Sequence, residues 1–444
     1  MATPSKVKLS LGEWPEFYVP GITAESAEKT SELLQENHEK HHIFFNHDRF
    51  HNHIAHHLLT IYALGASPAE IQKQYDNNQS YQRPPEPLDG KVVDDMHIPE
   101  RFKSYLGKEE YYHDFLVFFQ KEMEEKGWQN VVKEHVFAGD ARADDMLVRM
   151  FAGFLHPIIH LGFGVEFKQP AIIAEALAQA AVHDNWMGPL LLGAEKAAKE
   201  KGTTESKTLV QLLDEIRADK KLVNGPRYDD GNKLRDGVVK RVPQEMIHHA
   251  RQYVVGADEL DEKVAEMTNA AAYFTGSAQH PPKAIKLDFF FIHCLNCSIF
   301  FSAFIRQSWL AAGHKVRLLE WKGRNDLAMY VSRGSPAPLM DEITNYKPKK
   351  PSVDGKDPWR QIIERIDRYE DDGHGAKVIR ALAHGQAICK PFEQKENFRI
   401  KNDMWLQLGH MAIDSVEGDK PEWVRSCGFD EAWKSVKDRP RAQL

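Results

Sequence analysis

Cysteine is scarce in this chain. Four residues, Cys294, Cys297, Cys389 and Cys427, in 444 positions are too few for a disulfide framework and suit a reducing compartment. Long apolar runs are missing as well. The most apolar stretch, AIKLDFFFIHCLNCSIFFSAFIRQSWL over 284–310, holds only 17 residues between Asp288 and Arg306, short of the ~20 that span a bilayer. A buried central helix is therefore expected there rather than a membrane span. MATPSKVKLSLGEWPEF at the start has no basic stretch followed by an apolar core, so the expected location is cytoplasmic. A basic surplus is absent too: the net charge is -7, with 58 Lys and Arg scattered among 65 Asp and Glu. Neither nucleic acid nor a membrane is expected as a partner.

Several catalytic signatures are also missing. No G-x-S-x-G elbow marks a serine hydrolase, and no HExxH marks a zinc protease. LGFGVEF has a GxG but no third glycine and no parent strand, and GHGAK lacks the spacing of a phosphate-binding loop. CLNC at 294–297 has thioredoxin spacing but sits mid-helix, so it reads as two core thiols.

What is present is 42% hydrophobic content in overwhelmingly helical patterns. The segment from Thr23 to His41 reads as a surface helix, and His47 to Leu64 as an amphipathic one closed by Gly65. SPAE follows, with Ser67 as cap, Pro68 at the first helical position and Glu70 completing a capping box. Residues 78–104 read as an irregular connection. Further helices are expected over 108–126, 144–156, 170–183, 208–218, 243–254, 259–275, 318–333 and 357–384. Strand signals are rare and no repeat of fixed period occurs. The expected fold is all-α, a large multi-helix assembly around a buried central helix, spanning 1–444 as a single domain with a hinge loop at 334–356.

Histidine is abundant: 22 in all, seven of them in HHIFFNHDRFHNHIAHHLLT. Positions four apart share a helix face, as His53 and His57 do in sequence, and likewise His156 and His160. A third group is His374 and Lys377, three apart, with His384 seven beyond Lys377. His293 lies inside the apolar central run. Buried imidazoles lose hydration that a hydrogen bond or a metal must replace, and convergence on one metal accounts for all three groups together. His41, His42, His47, His51 and His56 are expected at the surface or supporting other ligands.

The words NHIAHHLLTIYALGASP, LHPIIHLGFGVEF, FFFIHC and DGHGAKVIRAL together resemble the questin-oxidase-like family, over roughly residues 45–415. The resemblance implies oxidative opening of an anthraquinone ring in fungal aromatic polyketide secondary metabolism. Members have been described as Baeyer–Villiger oxidases, yet FAGFLH does not match the flavin enzymes' F-x-G-x-x-x-H-x-x-x-W: its histidine comes one residue early, and His160 stands where tryptophan would be. Anthraquinone-cleaving members are similar to non-haem iron dioxygenases held by several histidines and a carboxylated lysine.

Carried onto this chain, that implies Fe(II) bound by His53, one or both of His156 and His160, His293 and His374, with a CO2-derived carbamate on Lys377 as a further ligand. His53, His160, His293 and Lys377 are the implied catalytic residues. One imidazole of the five is expected to orient another, with His57 and His384 as reserves. Dioxygen would be co-substrate, and an upstream reductase would supply the hydroquinone form of the anthraquinone, which opens to a benzophenone carboxylate. The alternative is an NADPH-linked Baeyer–Villiger oxygenase without metal; a metal-dependent hydrolase and a structural-metal scaffold stand behind it. Phe289, Phe290, Phe291, Phe300, Phe301 and Phe304 are candidates to wall a planar substrate, and Tyr111, Tyr112 and His113 to make polar contacts with it.

Overall fold

Thr23 and Ser67 each open a helix by a reciprocal capping box, with Ser26 and Glu70 as partners, and Pro68 stands at the first helical position as its missing N–H allows. Similar local signals start helices along the chain in a computed structural model that describes residues 1–202, 206–353 and 355–440. Among the described residues there is no strand; pairing is confined to isolated bridges such as Phe44 with His51. The architecture is all-α.

The chain divides into two compact units. The first comprises Met1–Asn185, Arg306–Leu310 and Glu370–Lys377; the second comprises Trp186–Ile305, Ala311–Tyr369 and Val378–Leu444. In the first, helices Ala24–Lys40, Ile54–Ala63 and Pro68–Gln79 pack on one another, while Pro170–Val182 packs on both Ala152–Glu166 and Tyr112–Lys126. Pro170–Val182 is apolar but for Glu175 and Gln179 and buried from Ala171 to Val182, as a helix inside a core is. Gly164 permits the close approach of its neighbour: a Cβ there would lie 2.6 Å from Ile173 Cγ1. The GxG of LGFGVEF is thus a helix-packing feature.

In the second unit, helix Phe289–Ile305 is buried from Phe291 to Phe304 and packs against Leu260–Ser277 and Ala312–Ser332. This is the central helix expected from sequence. Asp288 sets its start, accepting the N–H groups of Phe290 (2.8 Å) and Phe291 (3.3 Å) on one oxygen. Cys294 and Cys297 are buried free thiols, and burial pushes Cys297 up to about 12, which agrees with a core role. Segment 334–356 holds one helical turn, Asp341–Thr344, and Tyr346 Oη donates to Asp414 at 2.8 Å.

Several boundaries differ from expectation, four of them for a local reason. The helix expected from His47 begins at Ile54, whose N–H is taken by Asn52 Oδ1 at 2.9 Å. The connection 78–104 contains two short helices, Gly90–Asp95, capped by Asp89, and Pro99–Tyr105. The helix expected over 144–156 runs Ala141–Met150; Gly153, Phe154 and Leu155 are then left-handed, and the chain turns by 96° into the next helix. The helix expected over 357–384 is two, Pro358–Ile366 and His374–Cys389, parted where Gly373 takes φ +89°. No single described helix is long and apolar enough to cross a membrane.

Two buried histidines of the first unit tie stability to pH. Burial, helped by Arg83, pushes His42 down to about 3, and burial with Arg49 and Arg149 does the same to His183. Between about pH 6.5 and 3 the unfolded chain therefore binds protons that the folded chain refuses. The contribution of these two residues is complete above pH 6.5 and falls toward pH 3 by about 1.4 kcal/mol per pH unit for each. Urea unfolding midpoints should drop between pH 7.5 and 5.5; equal midpoints would refute the assignment of both as neutral.

Candidate metal centre

His53, His156 and His374 come together in the first unit, from three places far apart in sequence. One ring nitrogen of each lies within 4.8 Å of the others, and all three side chains are buried. His53 is the N-cap of helix Ile54–Ala63, and its carbonyl accepts the N–H of His57 at 2.8 Å. His156 follows the left-handed turn at 153–155, and His374 opens helix His374–Cys389.

Hydrogen bonds fix the tautomer of each ring. His53 Nδ1 is 2.9 Å from Asp372 Oδ2, His374 Nδ1 bonds the other oxygen of the same carboxylate, and His156 Nδ1 is 2.5 Å from the Gly153 carbonyl. A carboxylate and a carbonyl only accept, so each Nδ1 carries the proton. In a neutral ring that leaves Nε2 with a lone pair, and burial, reinforced by Lys377, pushes His53 down to about 3. Yet His53 Nε2 and His156 Nε2 face each other at 2.7 Å. Two lone pairs at that distance repel unless a proton or a cation lies between them. The donor set therefore fits a divalent metal.

Lys377, one helical turn beyond His374, is buried. Burial pushes it down to about 8 against the opposing pull of Asp372 and Asp371. Its neighbourhood is shaped by the DDG turn: Asp371 accepts the N–H groups of Gly373 (2.7 Å) and Gly375 (2.9 Å). Gly373 is required there, since φ is +89° and a Cβ would sit 2.7 Å from His57 Cβ. His57 is thus packed under the turn.

His160 is engaged differently. Its Nδ1 is 3.0 Å from His56 Nε2 and its Nε2 is 2.7 Å from Glu175 Oε2, so both ring nitrogens have protein partners. Glu175 continues through its other oxygen to His38 Nδ1 at 2.6 Å, and His38 Nε2 meets Gln120 at 2.9 Å. This hydrogen-bonded chain runs from His56, whose ring lies 5.7 Å from that of His53, to a cleft of about 280 Å³ lined by His38, His41, Tyr112, His113 and Gln120. His293 and His384 belong to the second unit. His293 has the same tautomer as the three clustered rings, its Nδ1 donating to the Phe289 carbonyl at 2.6 Å.

Three histidines expected at the surface or in support are buried: His42, His51 and His56. His51 stacks on His156, centroids 3.8 Å apart and planes within 7°, and its Nε2 meets His183 Nε2 at 2.8 Å. Asp372, His183, Glu175 and His38 escaped the sequence reading. Only Asp372 left a signal, a carboxylate two residues before a candidate ligand; Glu175 and His183 come from helix Pro170–Val182 and its C-cap, and His38 from Ala24–Lys40, with nothing local to mark them.

Known proteins resemble the chain over most of its length. A sequence profile described as questin oxidase-like matches residues 50–382, which run through both units. The chain is 42% identical over 426 residues to "Baeyer-Villiger monooxygenase dmxR6" of Cryptosporiopsis sp., covering 94% of this chain and 95% of that one. It is 40% identical to "Oxidoreductase AflY" of Aspergillus parasiticus over all of this chain and 89% of the relative. It is 38% identical to "Questin oxidase" of Aspergillus terreus, over 98% of both. Fold, site and relatives define an all-α, oxygen-using oxidoreductase. The chain belongs to the questin oxidase-like family.

Asp372→Asn tests the tautomer argument. An amide offers one acceptor where the carboxylate offers two, so it cannot take both Nδ1–H groups. Iron affinity, measured by equilibrium dialysis, should fall about 10–100-fold with the fold retained by circular dichroism. Unchanged affinity would show that Asp372 does not orient these rings.

Proposed function

We propose that the protein is a non-haem iron dioxygenase that opens the central ring of an anthraquinone, taken in its reduced hydroquinone form, to a benzophenone carboxylic acid. The observation that carries this reading is the convergence of Nε2 lone pairs from His53, His156 and His374, each set by an acceptor at Nδ1. The relatives' printed names, questin oxidase and Baeyer-Villiger monooxygenase, support the substrate class and the use of oxygen.

The residues that would hold iron are His53, His156, His374 and Lys377 of the first unit. Ferrous iron bound there supplies the one-electron chemistry that lets triplet dioxygen react with a closed-shell organic molecule. Lys377 as an ammonium would repel a divalent ion. Its neutral amine adds CO2, forming an N–C bond and releasing one proton, and so becomes a carbamate with carboxylate character on a long arm. Burial favours the amine over the ammonium. Asp372 holds the Nδ1 protons of His53 and His374 and keeps both rings oriented. His56, His160, Glu175 and His38 form the buried hydrogen-bonded chain beside the centre.

The hydroquinone brings the two electrons and two protons that balance entry of both oxygen atoms, so no further reductant enters the ring-opening step. A separate reductase would prepare that substrate, and the isolated chain then has no requirement for NADPH. The second reading, a metal-free NADPH-linked Baeyer–Villiger oxygenase, is favoured by the relatives' names. The two differ in the fate of oxygen: insertion of one atom followed by hydrolysis leaves one oxygen from water.

Incubation of iron-loaded protein and hydroquinone under 18O2 should place two labelled atoms in the ring-opened product without nicotinamide oxidation. One labelled atom, or a strict requirement for NADPH by the isolated chain, overturns the dioxygenase. Lys377→Ala should lose iron and nearly all activity, and both should partly return with acetate or propionate; a variant that keeps full iron content removes the carbamate from the site.

A further inference from the structure

Glu122, Glu134 and His135 form a second cluster in the first unit that shares no residue with the imidazole centre. One ligand atom from each lies within 4.8 Å of the others. Glu122 comes from helix Tyr112–Lys126, and the other two from a π-helical turn, Lys133–Phe137, a kind of turn that recurs at functional sites. His135 is 1% exposed, with the rings of Phe102, Phe118 and Phe119 packed around it. Neither of its ring nitrogens has a hydrogen-bond partner. Its Nε2 is directed at Glu122 Oε2 from 3.9 Å, too far for a hydrogen bond. A buried imidazole left in that condition is out of keeping with how interiors are built, unless a ligand completes it.

The rest of the cluster suits a cation. Glu122 is almost buried, and its other oxygen is 3.5 Å from Nδ1 of the half-exposed His97. Lys126 Nζ donates to Glu122 and, at 3.0 Å, to Glu134 Oε2. The ammonium therefore sits where a cation is favoured, but it cannot satisfy His135, because it has donors and no empty orbital for an imidazole lone pair. A divalent metal can. Two carboxylates neutralise its charge, and the imidazole with one solvent molecule completes a tetrahedral set of the kind zinc takes. Lys126 is 38% exposed and lies on a flexible stem, so it is free to swing into solvent.

We propose that Glu122, Glu134 and His135, with a solvent molecule as fourth ligand, form a zinc site that ties helix Tyr112–Lys126 to the π-helical turn, and that Lys126 holds the place of the ion in its absence.

The test titrates the chelator-stripped full chain with zinc chloride by calorimetry, and counts zinc retained after dialysis. The imidazole centre also offers nitrogen ligands to zinc, so the comparison is between variants. Glu134→Gln, a change on a half-exposed side chain, should bind one zinc fewer per chain than the unaltered protein, with an unchanged circular dichroism spectrum. Lys126→Gln, which removes the competing ammonium, should bind at that same site about tenfold more tightly. Zinc should also raise the melting temperature of Lys126→Gln more than that of Glu134→Gln. Equal zinc counts and affinities in all three proteins would overturn the site.

Discussion

The candidate centre depends on one constraint, that a neutral imidazole has a single proton. Asp372 uses both carboxylate oxygens to hold that proton on Nδ1 of His53 and of His374, and the Gly153 carbonyl does the same for His156. Once Nδ1 is committed, Nε2 can only accept, and three acceptors brought to one point define a place for a cation. The chemistry of the site thus begins with its supporting acceptors. Moving any of them would change which nitrogen is available without moving a ligand's backbone.

The backbone supplies this arrangement through two unusual turns. A left-handed run at Gly153, Phe154 and Leu155 frees the Gly153 carbonyl from helical bonding and aims it at His156. Gly373, at φ +89°, lets the chain pass over His57 and present Asp372 and His374 together. Both are conformations that ordinary side chains resist, and in both a Cβ would collide with a histidine of the same cluster. Local strain and imidazole placement are two sides of one feature. Around it, His51 pairs with His183, and His56, His160, Glu175 and His38 follow one another in a hydrogen-bonded chain, so that many polar rings are accommodated within an apolar helical packing.

Much of the candidate site could be read in the sequence, and the missing part has a physical pattern. His53, His156 and His374 stand out because each is set among apolar residues at a helix or its edge, and Lys377 because it is one turn from His374. The reasoning by helical spacing nevertheless misplaced the partners. His53 and His57 are four apart, yet one turns to Asp372 and His156 and the other packs under Gly373; His156 and His160 are four apart on one helix, yet one turns to His53 and the other to Glu175. Spacing tells which side chains share a face only where the helix is continuous. It says nothing of what that face meets.

The sequence by itself determined the all-α class, the buried central helix, the capped helix at Ser67 and the family, since each follows from composition, period or a local motif that acts within a few residues. Tertiary structure alone decided the tautomers, the role of Asp372, the burial of His42, His51 and His56, and the gathering of Glu122, Glu134 and His135 from separate elements. These are properties of through-space neighbours: the proton on an imidazole goes to the nearest acceptor in the fold, and that acceptor stands at no regular distance along the chain.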